Sequence, residues 1–313
     1  VISVVKKFMM NKYLISIVGP TGIGKTALSL ELATRFNTEI ISADSRQFFK
    51  EIPIGTAAPT ADELAIVPHH FIHNKSIKDA YSVGHFEKEA IAKLDHLFQS
   101  KSVVIMVGGS GLYVDAVIKG FDEFPDIDPE LRAQLNLELE SKGLEFLQGE
   151  LKRLDPKCYE TIALKNPHRI IRALEICKGT GDPYSTFLNK NKQPRGFKTI
   201  SIGLEADRAL IYDRINLRVN KMLESGLLDE ARSVFKLRDL NALNTVAYKE
   251  LFNYFDSKWT LEFAVSEIKK NTRRFAKRQL TWFKKDVTTK WFKFDTDPKQ
   301  ITDYIKQVQK KTS

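Results

Sequence analysis

An α/β architecture follows from three features of the sequence: a doubly wound parallel sheet of the P-loop type, interrupted by a helical insertion. First, Gly19-Pro20-Thr21-Gly22-Ile23-Gly24-Lys25-Thr26 matches G-x-x-x-x-G-K-T and joins an apolar run to a helical one. Second, strand-like and helix-like runs alternate as far as Lys119. Third, only helical patterns occur from Glu130 to about Phe187. The expected division is 1–120 for the first part of the core, 121–197 for the insertion, and 198–313 for the rest of the core with a basic helix.

The elements follow in chain order. Residues 13–18 are an unbroken apolar strand ahead of the glycine loop, and 27–36 form a helix with Leu28, Leu32 and Phe36 on one face. Residues 39–42 read as a second strand running into Ala43-Asp44-Ser45-Arg46-Gln47. Functional groups of a parallel sheet gather at such carboxyl ends, and Asp44 stands there. Thr60-Ala61-Asp62-Glu63 is a capping box. A helix over 84–99 has Phe86, Ala90, Ile91, Leu94 and Leu97 at helical spacing, and 103–107 is a fully apolar strand. Gly108-Gly109-Ser110-Gly111 turns the chain into a helix over 112–119.

An acidic, proline-containing linker over 121–129 leads to helices at 131–139, 144–154, 156–164 and 167–177. Residues 198–204 return as a strand. Asp207 is a candidate cap for a long helix bearing Leu210, Ile211, Ile215, Val219 and Met222. Helices over 227–237, 260–283 and 302–310, and a short strand at 291–294, complete the pattern.

At 313 residues and 42% hydrophobic content the chain can bury a sizeable core. Its formal charge of +10 suits a polyanionic partner, nucleic acid or a membrane surface, or simply a basic enzyme. Cys158 and Cys177 form no C-x-x-C pair, which supports neither a zinc site nor a disulfide framework. Reduced thiols and a cytoplasmic location are expected. No apolar stretch reaches transmembrane length. Residues 1–10 lack the apolar region of a signal peptide, and Met9 and Met10 are alternative start positions.

The glycine loop dictates anion chemistry. Its backbone curls so that N–H groups point inward at a phosphate, and the following helix N-terminus adds partial positive charge. Lys25 adds a full charge, and the Thr26 hydroxyl is placed to ligate Mg²⁺. Asp44 suits three roles: reaching Mg²⁺ through water, taking a proton from a nucleophile, or forming a turn. The strand over 103–107 ends in glycine rather than Asp or Glu, which counts against ATP hydrolysis and favours transfer chemistry in which the loop holds a leaving group.

Arg169 and Arg172 lie one helical turn apart behind the cap Asn166, either gripping nucleic acid or facing solvent. The run from Lys269 to Lys285 is the densest basic region. Its helix could line a polyanion groove or point back at the loop, and Arg218 could point to the same place. His69, His70 and His73 lack metal-ligand spacing.

These stretches together resemble the tRNA dimethylallyltransferase (isopentenyltransferase) family, bacterial in type. The likeness runs from about Leu14 to Asp286 and rests on GPTGIGKT, SADSRQFF followed by IPIGTAAP, PHH, YSVGHF, VGGSGLYVDAVIKG, NPHRIIRALEI, TVAYKEL and TRRFAKRQLTWF. It implies that Gly19 to Thr26 (Gly19, Pro20, Thr21, Gly22, Ile23, Gly24, Lys25, Thr26) hold the diphosphate of dimethylallyl diphosphate, with Mg²⁺ at Thr26. It implies that Asp44 is the general base facing the exocyclic N6 of the adenine just 3′ of the anticodon, and that Lys25, Thr26 and Arg218 serve the diphosphate.

Ser45, Arg46 and Gln47 would hold the flipped-out base. Ser110, Arg132, the run His168, Arg169, Ile170, Ile171, Arg172 and the run Asn244, Thr245, Val246, Ala247, Tyr248, Lys249 match tRNA-contact positions, and Arg274, Lys277 and Arg278 lie in the basic tail helix. The implied partners are the tRNA anticodon stem-loop and dimethylallyl diphosphate, with no membrane and a monomeric enzyme. The two cysteines leave no zinc-finger extension of the eukaryotic kind.

The sequence departs from the family pattern at five places: Phe49 for a common tyrosine, Ala58 for lysine, Ser110 for threonine, His168 for glutamine and Ala247 for glycine. The rival readings are a P-loop kinase of small molecules or nucleotides, with the basic helix and insertion as a lid, and a non-catalytic RNA-binding protein that keeps the loop.

Overall fold

The structure, a computed structural model, describes residues 11–188 and 194–312. The alternative starts Met9 and Met10 lie outside the described residues. The chain divides into two compact units, one running up to Ile118 and resuming at Arg195, the other spanning Lys119–Pro194. The boundaries thus fall two to three residues ahead of those expected at 121 and 197.

The first unit is built on β1 (Tyr13–Val18), β2 (Ile40–Ser42), β3 (His69–His70), β4 (Val103–Val107), β5 (Lys198–Glu205) and β6 (Lys290–Lys293). Among the described residues these strands form one sheet in the order β3-β2-β4-β1-β5-β6, every pair parallel. β1 and the inner part of β4 are buried on both faces, which is why they read as unbroken apolar runs. Helices α1 (Lys25–Arg35), α2 (Ala61–Ile66), α3 (Val83–Leu97) and α4 (Gly111–Lys119) alternate with the first four strands.

Leu28 and Leu32 of α1 pack with Ile15, Ile17 and Ile105 on one side of the sheet, while Phe86 and Leu94 of α3 pack with Leu14, Ile41 and Val104 on the other. At roughly 25 cal/mol per Å² of apolar surface, each such fully buried side chain contributes about 2 kcal/mol. The capping box at α2 forms as expected, with Glu63 N donating to Thr60 Oγ1 and Thr60 N to the Glu63 carboxylate.

The second unit contains α5 (Pro129–Leu154), α6 (Pro156–Thr161) and α7 (Pro167–Thr180). Asp128 caps α5 through the Glu130 N–H, and Gly143, at φ 80°, breaks it into two helical stretches. Asn166 caps α7 through the Arg169 N–H. Leu135, Leu147 and Leu151 meet Ile170, Ile171, Leu174 and Cys177 in a core of this unit's own. Cys158 and Cys177 are free and buried in it, and burial pushes the Cys158 thiol up to about 11.

Beyond β5 come α8 (Arg208–Glu224), α9 (Leu227–Val234), α10 (Tyr248–Phe255), α11 (Leu261–Phe283) and α12 (Pro298–Thr312). Asp207 does stand at the N-cap position of α8, but its side chain makes no capping bond, which corrects the role expected of it. No helix among the described residues is long and apolar enough to cross a membrane.

α10 carries no helix-start signal in the sequence because its first turn is entered by a strained residue. Ala247 stands at its N-cap position with φ 82°, and Ala247 N donates to Glu250 Oε2 at 2.8 Å. A non-glycine residue held in such a region costs about 1–3 kcal/mol, whereas a glycine there gives back about 0.4–1 kcal/mol through the freedom of the unfolded chain. Ala247→Gly is therefore expected to stabilise the protein by about 1 kcal/mol and raise Tm by about 2 °C in a thermal melt. Ala247→Val is expected to lower Tm.

Candidate active site

The site is laid out by sheet register. Ile17 of β1 and Ser42 of β2 both pair with Val107 of β4, so the three chains leave the sheet at one level. Gly108 N donates to the Ile17 carbonyl at 3.3 Å and Ala43 N to the Val107 carbonyl at 2.8 Å. The glycine loop, the Gly108–Gly109 turn and Asp44 therefore stand side by side at the carboxyl edge, the crevice where parallel sheets bind ligands.

The loop is held by groups around it. Gly19 has φ 144°, and a Cβ there would lie 2.7 Å from the Leu204 carbonyl oxygen. Gly24, at φ 109°, turns the chain into α1. Lys25 Nζ donates to the Gly19 and Pro20 carbonyls at 3.0 and 2.9 Å. From α8, Arg218 donates to Thr21 Oγ1 and to the Ala57 carbonyl, both at 3.0 Å, and Arg214 Nε donates to the Gly22 carbonyl at 2.7 Å. From α11, Gln279 accepts from Thr21 N at 2.8 Å and donates to the Gly109 carbonyl at 2.9 Å.

The charges act on one another. Burial pushes the Lys25 ammonium down to about 8, with Asp44 opposing and Arg218 adding to the shift. Burial raises the Asp44 carboxyl above its ordinary value, against the Arg46 N–H that bonds it at 3.1 Å and the charges of Lys25, Arg218 and Arg46. A carboxyl raised in this way takes up a proton more readily than an ordinary one.

Beside Asp44, Ser45 N donates to Ser110 Oγ at 2.9 Å and the two hydroxyls lie 3.0 Å apart. The serine at 110 thus keeps the bond that ties the turn to β2. Arg46 reaches the carbonyls of Asn241 and Ala242 at 2.8 and 3.1 Å, and Gln47 Nε2 reaches those of Thr56 and Ala57 at 3.4 and 3.2 Å. Both side chains are engaged in holding neighbouring loops.

Three groups that sequence reasoning did not assign support this edge. Glu230 of α9 accepts from Ile54 N, Gly55 N and Tyr248 Oη at 2.8, 2.8 and 2.6 Å, and so shapes the loop that presents the Ala57 carbonyl to Arg218. Arg214 and Gln279 are the others, and Tyr248, expected at a tRNA contact, joins them through its hydroxyl. Gln279 had one legible mark, a polar residue following Ala276 by one turn on the inward face of a basic helix. Glu230 had none, because nothing local in the sequence joins residue 230 to residue 54.

Burial separates the residues of the expected tRNA-contact runs. Ile170 and Ile171 are packed in the second unit's core, and Ala247 and Tyr248 in that of the first, so their side chains meet protein rather than a ligand. Asn244 and Lys249 are exposed, with Thr245 and Val246 half-buried. Arg132, His168 and Arg169 are exposed on the second unit, where Arg132 and Arg172 both pair with the buried Glu175 at 2.9 and 3.2 Å. Arg274, Lys277 and Arg278 are exposed on α11, on faces other than the one that carries Gln279 to the loop.

Among the described residues no group of three or more His, Cys, Asp or Glu side chains could hold a metal ion. The donor set still fits Mg²⁺, which commonly keeps several waters and takes its other ligands from one or two protein oxygens and substrate phosphates. Thr26, half-buried at the start of α1, offers such an oxygen.

A phosphate-binding loop braced by two arginines, a carboxyl at the neighbouring strand end and a glycine turn where a nucleotide hydrolase carries an acid define a P-loop transferase site. The sequence profile of the family described as IPP transferase matches residues 47–286. The chain is 62% identical to the tRNA dimethylallyltransferase of Christiangramia forsetii over 95% of its own length and 98% of the relative's. Its fold matches the tRNA isopentenylpyrophosphate transferase of Bacillus halodurans with a TM-score of 0.71 at 38% identity, over 95% of this chain and 96% of the other. It also matches a eukaryotic dimethylallyltransferase acting on tRNA with a TM-score of 0.79 at 25% identity, over 95% and 80%. The chain belongs to the IPP transferase family of tRNA dimethylallyltransferases.

The Glu230 clamp gives a stability prediction. Glu230→Ala removes the acceptor of two backbone N–H groups and leaves the Tyr248 hydroxyl one weak bond, to the Ile52 carbonyl at 3.4 Å. The expected loss is about 3 kcal/mol, read from denaturant unfolding.

Proposed function

We propose that the protein transfers the dimethylallyl group of dimethylallyl diphosphate to the exocyclic N6 of the tRNA adenine just 3′ of the anticodon, releasing diphosphate. The observation that carries this reading is the pairing of an anion cradle with Asp44 across a turn that holds no acid. The loop N–H groups, Lys25 and Arg218 bind the diphosphate and neutralise the charge that develops as the allylic C–O bond breaks. The N6 nitrogen forms the new C–N bond, its proton passes to Asp44, and diphosphate leaves into the loop. Mg²⁺ held by Thr26 and diphosphate oxygens would supply further charge neutralisation.

The adenine must leave its stack to reach a cleft of this kind. Ser45 and Gln47 border it, the exposed Arg132, Arg169, Arg274, Lys277 and Arg278 supply positive charge for tRNA phosphates, and the exposed His168 offers a polar ring to the RNA. Arg46, by contrast, acts through the loops it ties together. tRNA is a cytoplasmic substrate, and the same reading takes the enzyme to be a cytoplasmic monomer.

The decisive experiment incubates the protein with radiolabelled dimethylallyl diphosphate and unmodified tRNA. Label is expected in the tRNA. Absence of label together with ATP consumption on a small acceptor would establish a kinase instead. Asp44→Asn is expected to lower kcat by roughly 10²–10⁴-fold with tRNA affinity retained in a filter-binding assay. Unchanged turnover would remove Asp44 as the base.

The pH profile follows from the two shifted groups. Asp44 must be deprotonated, so kcat/KM falls as pH drops through its raised value. Lys25 must be protonated, so kcat/KM also falls as pH rises through about 8. Bound diphosphate favours the ammonium, and the alkaline limb of kcat is expected at higher pH than that of kcat/KM.

A further inference from the structure

α11 reaches the loop and the turn through one amide. Gln279 is buried, with 5% exposure, and its side chain bridges two segments: Thr21 of the glycine loop and Gly109 of the β4–α4 turn. Only an amide in one orientation does both, since Oε1 accepts from an N–H while Nε2 donates to a carbonyl. The contact leaves no slack. A Cβ at Gly109 would lie 2.3 Å from Gln279 Nε2 and 3.6 Å from Asp44 Oδ2, so the amide and the carboxyl converge on the same glycine.

The Pro20–Thr21 peptide is then held at both ends. Its carbonyl accepts from Lys25 Nζ at 2.9 Å and its N–H donates to Gln279 at 2.8 Å. On the other side of the amide, Gly109 leads into Ser110, whose hydroxyl accepts the Ser45 N–H next to Asp44. One continuous path of hydrogen bonds thus joins Lys25, the loop, the turn and the strand end that bears Asp44.

We propose that Gln279 is a positioning residue for the transfer reaction, fixing the diphosphate loop and the turn beside Asp44 at one mutual spacing. The inference rests on the reading of the site as a dimethylallyl transferase. It adds that donor and acceptor sites are registered by a neutral amide from the tail helix rather than by that helix's cations. Leaving group and nucleophile must align for in-line displacement, and a displacement of about 1 Å in such a geometry costs on the order of 100-fold in rate.

The test compares Gln279→Asn, Gln279→Leu and Gln279→Glu with the wild-type protein, assayed well below each variant's Tm. Asparagine keeps the polarity but is one methylene short of spanning both partners. Asn and Leu are both expected to lower kcat/KM for dimethylallyl diphosphate about 100-fold and weaken calorimetric binding of inorganic diphosphate about 10-fold.

Gln279→Glu reproduces the bridge only when its carboxyl is protonated, since a carboxylate would face the Gly109 carbonyl and Asp44. Its activity relative to wild type is expected to recover as pH falls. A merely structural role would lower Tm without giving Gln279→Glu this pH-dependent recovery. Asn and Leu variants that keep kcat/KM within twofold, or that lose it with diphosphate affinity unchanged, would overturn the assignment. If the wild-type protein labels no tRNA, the functional reading fails, while diphosphate binding still reports on the bridge.

Discussion

Two backbone hydrogen bonds at the carboxyl edge of the sheet govern the rest, from Gly108 N to the Ile17 carbonyl and from Ala43 N to the Val107 carbonyl. They bring the ends of three parallel strands to one level, and every group of the site is measured from there. A slip of the ladder would carry Asp44 away from the loop and turn the apolar faces of β1 and β4 out of register with α1 and α3. The buried isoleucines and valines that resist such a slip are therefore as much a part of the site's geometry as the polar groups they present.

The edge gathers Lys25, Arg218 and Arg214 around the carboxyl of Asp44, with Glu63 acting on Arg218 as well. An excess of fixed positive charge in a half-buried crevice is an unfavourable arrangement for the protein alone, and it is what a diphosphate needs. Neutral groups hold the arrangement together. Gln279, Ser110 and a set of backbone carbonyls absorb the N–H donors, so that the cations are aimed without being neutralised. Where the protein does spend a carboxylate on bracing, at Glu230, it uses it on backbone N–H groups and a tyrosine rather than on a cation of the site.

Most of the sheet was legible because its order is written in runs of adjacent residues. The loop, the 103–107 strand and the helices of the insertion each carry a local pattern, and all appear. β3 was not, since two half-buried histidines carry no strand signal. α10 was not, because an alanine at positive φ replaces the usual cap. In the site, Lys25 and Asp44 stood out through motif and strand end, whereas Arg214, Glu230 and Gln279 act across separations of 192, 176 and 258 residues. Resemblance to a family marks whole stretches such as 168–172 and 244–249. Helical periodicity separates the exposed members, Arg169 and Lys249, from the buried Ile170, Ile171 and Tyr248.

The turn after β4 is defined by atoms it lacks. A methyl group would lie 2.3 Å from the Ala43 carbonyl oxygen at Gly108, 2.3 Å from the Gln279 amide at Gly109 and 2.3 Å from the Trp282 ring at Gly111. No single substitution at these three positions is a small step, since each pushes on backbone or on a packed side chain. Ser110 alone among the four has a side chain to vary. Sterics thereby divide the chain: side chains can be exchanged on the exposed faces of α11 and the insertion, whereas the frame beside Asp44 takes no added atom without displacing a neighbour.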